Sequence, residues 1–181
     1  KHTEFFEIYF REVLEVGRET KVKNIVHESL DTRAKQLLDS IEKSPEEREM
    51  ARVEGFVHYQ GIIEGVQAMV GYEVFDAVWG QYGLLPGLKE AFTQIKRDEG
   101  RHVGFGLRML KRFAEKKPQY AKRIRELYEE YLPAILVRYD QSVIVNGQEI
   151  ETPEEVRGKE RLMSMYNRRI KDILGIQLQE S

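Results

Sequence analysis

Cysteine is absent from the 181 residues. Disulfides, thiolate zinc sites and iron–sulfur clusters are thereby excluded. Any metal must be held by His, Asp and Glu, and there are only 4 histidines. No apolar run reaches the length of a membrane span, so no membrane span is expected. Excess charge of one sign is also missing: 29 basic and 31 acidic residues leave a net charge of −2. That balance argues against nucleic-acid binding, which calls for a basic face. The chain opens Lys1-His2-Thr3-Glu4, which is no signal peptide, and a cytoplasmic location is expected by default.

What is present is helical periodicity. Phe5 to Val16 and Ser29 to Ile41 read as amphipathic segments. Ser44-Pro45-Glu46-Glu47 is a helix start, with a serine cap, proline in the first turn and a capping box closed by Glu47. The helix it opens is expected to run to about Gln81. After the turn Gly83-Leu84-Leu85-Pro86-Gly87, a long helix covers Leu88 to Glu115. Another spans Gln119 to Val143 with a kink at Pro133. Asn146-Gly147 is a turn, and Thr152-Pro153-Glu154-Glu155 opens a last helix that fades near Gly175. No strand alternation is sustained. Short loops between long helices predict an all-α bundle of antiparallel neighbours forming one domain over residues 1–181.

The long helix carries the chemistry. Steps of three and four pick out Leu88, Phe92, Ile95, Glu99, His102, Gly106, Met109 and Phe113 as the core-facing stripe. A carboxylate and an imidazole within such a stripe are costly unless paired or bound to metal. The spacing Glu99-Gly100-Arg101-His102 points both side chains the same way. A buried ion pair would satisfy them too. Glu64 weighs against that reading. It sits on the preceding helix among Val57, Gln60, Gly61, Ala68, Gly71 and Phe75, and also needs a partner. Di-metal carboxylate bundles take a Glu from each of two helices and a Glu-x-x-His from each of the other two. Glu64 followed by Glu99/His102 is one half of that set, and such donors suit iron or manganese. His2 is the candidate remnant of the other Glu-x-x-His. Of the remaining candidates, His58 points to another face and reads as structural. His27 lies in a loop, Trp79 reads as core, and Arg101 and Arg108 are expected to pair with acids on adjacent helices.

The segments Val53-Glu54-Gly55-Phe56-Val57-His58-Tyr59-Gln60-Gly61-Ile62-Ile63-Glu64-Gly65, Gly83-Leu84-Leu85-Pro86-Gly87-Leu88 and Asp98-Glu99-Gly100-Arg101-His102-Val103-Gly104-Phe105-Gly106 resemble one family: the ligand-binding oxidases built like the small subunit of ribonucleotide reductase. Lys1-His2-Thr3-Glu4-Phe5-Phe6 is similar to the tail of that family's first Glu-x-x-His. The resemblance implies a ferritin-like bundle of which this chain is the C-terminal portion, both upstream glutamate ligands preceding Lys1. It further implies a manganese/iron centre that activates dioxygen, a bound long-chain fatty acid and a homodimer. It also implies an ether crosslink from Tyr59 to a valine outside the chain. Helix geometry does not suggest that role for Tyr59, which precedes Glu64 by five residues, about 140° round an ideal α-helix. Tyr72 matches a second tyrosine near the centre, and Asp98 a carboxylate that orients His2. The small residues Gly61, Gly65, Ala68 and Gly71 are expected to leave room for an acyl chain. Two alternatives accompany the oxidase reading: a reductase small subunit, and an iron-storage or scaffold protein without enzymatic role. Phe6 stands where radical-bearing reductase subunits carry tyrosine, and Gln177-Leu178-Gln179-Glu180-Ser181 lacks an aromatic relay. Both favour the oxidase.

Overall fold

In the computed structural model, residues 8, 11–12, 32, 35–75, 86–139, 143–145, 148–150 and 158–176 are described. His2, Phe6, His27, Trp79, Thr152–Glu155 and Gln177–Ser181 lie outside them. Ser40–Glu42 is a 3₁₀ turn. Helix α1 (Pro45–Phe56) starts on the expected capping box. The Ser44 hydroxyl accepts from the Glu47 N–H at 3.3 Å, and the Glu47 carboxylate accepts from the Ser44 N–H at 3.0 Å. The chain then widens into a 12-residue π-helix, Val57–Ala68, and returns to α geometry in α2 (Met69–Phe75). Helix α3 (Pro86–Lys116) has 31 residues and α4 (Pro118–Tyr139) has 22, running through Pro133. Helix α5 (Lys159–Leu174) ends at Gly175, whose left-handed φ of 70° suits a residue without Cβ.

The all-α class holds, and the sequence reading needs one local correction. The fourth helix stops at Tyr139, short of Val143. Strand β1 (Val143–Val145) pairs antiparallel with β2 (Gln148–Ile150), in the register Val143↔Ile150. The strands flank Asn146-Gly147, a dipeptide suited to two-residue hairpin loops. Elsewhere the described residues form the all-α bundle.

One core joins the helices. Val53, Val57 and Val66 meet Leu110, Tyr120, Ile124, Leu127 and Tyr128, with Leu162, Tyr166 and Ile170 closing the far side. The buried Tyr166 hydroxyl donates to the Tyr128 carbonyl. His58 is structural as expected: it is 3% exposed, and its Nδ1 lies 2.7 Å from the Tyr131 hydroxyl. Arg101 departs from expectation. It pairs with Asp98 on its own helix, one turn back, rather than with an adjacent helix.

Ion pairs clamp the rim where α1, α3 and α4 meet. Glu49 accepts from Lys116 Nζ and from the Tyr120 hydroxyl at 2.6 Å. These two bonds, that of Lys116 first, hold its carboxyl below the usual carboxylate range. A depressed folded-state value contributes stability above the unfolded value and loses it as pH falls through the folded one. Thermal midpoints of wild type and Glu49→Gln are therefore expected to differ at about pH 7 and to converge below the ordinary carboxylate range, near about 4. A constant gap across that range would contradict this account of the clamp.

Candidate metal centre

The π-helix positions the site. Its backbone bonds run from i to i+5, so residues five apart lie above one another. Tyr59 and Glu64 are such a pair, and the Tyr59 hydroxyl donates to the Glu64 carboxylate. An α-helix would have turned them apart. The sequence reading of Glu64 is unaffected, but the link to Tyr59 comes from the π register.

From α3, Glu99 and His102 face the same space. His102 Nδ1 lies 3.4 Å from Glu99 Oε2, with side-chain exposures of 56% for His102 and 13% for Glu99. One donor atom from each of Glu64, Glu99 and His102 falls within 4.8 Å of the others. The structure thus brings together three of the four expected ligand residues; the fourth, His2, is outside the described residues. The stripe of α3 is buried at Ile95, Gly106 and Phe113 as expected. His102 is half-exposed, as are Tyr59 and Phe105.

The electrostatics are those of crowded acids. Burial, then the neighbouring Glu99, pushes the Glu64 carboxyl above its ordinary range, while His102 and the Tyr59 bond oppose the shift. Glu64 Oε2 is buried and has no hydrogen-bond partner. Burial and then the two carboxylates raise the Tyr59 phenol, and the same causes push Tyr72 up to about 12. Tyr72 packs against Phe92, ring centroids 5.5 Å apart.

The room expected at the glycines is open at Gly71, where a Cβ would meet nothing within 4 Å, and occupied at the other two. A Cβ on Gly61 would lie 2.7 Å from the Tyr128 hydroxyl, and one on Gly65 would lie 2.6 Å from the Gln60 carbonyl oxygen. These glycines admit close packing and a wide backbone turn instead of an acyl chain. Ala68 is half-buried near the end of the π-helix. A cleft of about 230 Å³ also opens beside Tyr59, lined by Leu37, Arg52, Gly55, Phe56 and Gln60.

Sequence reasoning missed the buried tyrosines Tyr128 and Tyr166 and the buried Arg169. Arg169 Nε donates to the Gly65 carbonyl at 2.8 Å, across 104 positions of sequence.

Fold and site together define a ferritin-like helical bundle bearing a carboxylate–histidine cluster on two packed helices. No family model matches the chain. Solved structures do match its fold. A variant of an R2-like ligand-binding oxidase with anaerobically reconstituted Mn/Fe cofactor aligns with a TM-score of 0.76 at 23% identity, over 96% of this chain and 62% of that one. Another variant, with aerobically reconstituted Mn/Fe cofactor, aligns at 0.65 and 22%, over 81% of this chain and 50% of that one. The resemblance read from Val53–Gly65 and Asp98–Gly106 is met at the level of fold. The chain spans 50–62% of the length of these two solved chains. Among the described residues, no helix is long and apolar enough to cross a membrane.

Proposed function

We propose that this chain supplies half of the ligand set of a manganese/iron centre in an oxygen-activating oxidase. The convergence of Glu64, Glu99 and His102 donor atoms within 4.8 Å carries this reading. The buried, unpartnered Oε2 of Glu64 supports it, since a desolvated carboxylate beside a second acid is costly without a cation. Glu64 and Glu99 are the anionic ligands and His102 the imidazole ligand; His2 is a further ligand by resemblance. Bound there, the metals supply dioxygen activation for a two-electron oxidation.

The chain's own groups prepare that chemistry. Glu64 and Glu99 come from separate packed helices, so the donor set is fixed by tertiary packing and not by a mobile loop. Without metal, Tyr59 keeps its proton, because burial and both acids disfavour the phenolate. By resemblance, it is also the phenol that forms an ether link to a valine outside the chain. One hydrogen leaves the phenol oxygen and one leaves the valine carbon, with dioxygen as the oxidant. A long-chain fatty acid is the second expected ligand, and the apolar cleft beside Tyr59 supports it better than the glycines do.

The test uses the full-length protein, loaded anaerobically with Mn(II) and Fe(II), desalted and analysed for metal. Retention of both is the expected result; retention of neither sinks the reading. After exposure to air, the Tyr59 peptide is expected to be joined to a valine peptide with the loss of two hydrogens. An unmodified Tyr59 peptide removes the crosslink from the proposal. A dimer by light scattering excludes a storage cage.

A further inference from the structure

Arg169 takes no part in the cluster, yet it is among the few buried charged residues, at 9% exposure. A buried guanidinium is costly unless its donors are used, and burial lowers its pKa. Its carboxylate partner among the described residues is a loose one: Nη1 lies 3.9 Å from Asp172 Oδ2, and Asp172 is half-exposed. The well-formed bond instead goes to a backbone oxygen, from Nε to the Gly65 carbonyl at 2.8 Å.

That oxygen belongs to the residue directly after Glu64, in the last turn of the π-helix. Here the backbone leaves its wide register, since the Met69 N–H already bonds back to the Val66 carbonyl. On the opposite side, the Gln60 carbonyl fills the place a Gly65 Cβ would take. Gly65 is thus fixed from two directions, by a carbonyl standing 2.6 Å from where a Cβ would sit and by a guanidinium delivered from α5.

We propose that Arg169 is a positioning residue for the centre: its Nε–H, held on the Gly65 carbonyl, keeps the π-helix in register so that Glu64 faces both Glu99 and Tyr59. The inference rests on the reading of Glu64, Glu99 and His102 as metal ligands. It assigns to the last helix a role in setting the geometry of a site it does not touch.

The test measures Mn(II) affinity of the full-length protein by paramagnetic resonance of the free ion, with amide exchange across residues 57–68 in the metal-free state. Arg169→Met fills a similar length without a donor. It is expected to bind Mn(II) about 10- to 100-fold more weakly, the usual cost of losing a group that orients a ligand. Exchange in 57–68 is expected to quicken while α4 stays protected. A merely structural arginine would instead loosen the π-helix and α4 together. Mn(II) affinity equal to wild type in Arg169→Met, with Glu64→Gln losing the ion, overturns the positioning role alone. A wild type that takes up no Mn(II) overturns the metal reading and this inference with it. Should Arg169→Met not fold, Arg169→Gln, which ends short of the Gly65 carbonyl, carries the same two outcomes.

Discussion

Gly65→Ala is expected to cost at least tenfold in metal affinity while leaving most of the bundle intact. The added Cβ would stand 2.6 Å from the Gln60 carbonyl oxygen, a backbone atom that cannot rotate aside. The π-helix must then give way locally, and alanine favours the α register over glycine by roughly 1 kcal/mol. A return to α geometry carries Tyr59 away from Glu64 and turns Glu64 relative to Glu99. The core residues of α3, α4 and α5 lie on other faces, so overpacking should lower stability by no more than about 1–3 kcal/mol. Mn(II) titration paired with thermal unfolding checks this. Unchanged affinity in a folded Gly65→Ala protein would mean that the π register is dispensable for the cluster. The Gly65 carbonyl links this prediction to Arg169, because both act on the same peptide unit from opposite sides.

Those residues also mark where sequence stops being informative. The capping box at Ser44 and Glu47 was legible because cap, proline and acid are local and each has one geometric use. Glu64, Glu99 and His102 were legible because acids in apolar stripes are conspicuous and the i,i+3 spacing holds in any α-helix. Tyr59 was legible only through family resemblance. Its distance from Glu64 makes sense in a π-helix, and composition gives no warning that an α-helix will widen. Arg169 was illegible for a different reason. An arginine among the polar residues of the last helix reads as solvated, and its partner is a carbonyl 104 positions away. The hairpin was missed although Asn146-Gly147 stood in view, because helical periodicity was extended past Tyr139. His102 was expected inside and is half-exposed, one turn before the half-exposed Phe105.

Glu64→Gln should separate a metal ligand from a structural acid, because it is expected to act with opposite signs in the two states. In the metal-free protein, the substitution removes a charge that burial and Glu99 both disfavour. The amide can donate to Glu99 and still accept from Tyr59, so the metal-free thermal midpoint should rise. With Mn(II) at a hundred times its dissociation constant, the wild type gains about 2.7 kcal/mol from binding. Glu64→Gln should gain almost none of this, because a neutral amide cannot replace the anionic ligand. The order of stabilities therefore inverts between chelator and metal. A glutamate serving only to anchor the Tyr59 hydroxyl predicts otherwise: its replacement would be neutral or destabilising without metal, and Mn(II) would shift both proteins alike. Unfolding of both proteins in chelator and in Mn(II) distinguishes the two, and the metal-free arm does so before any oxidase activity is sought.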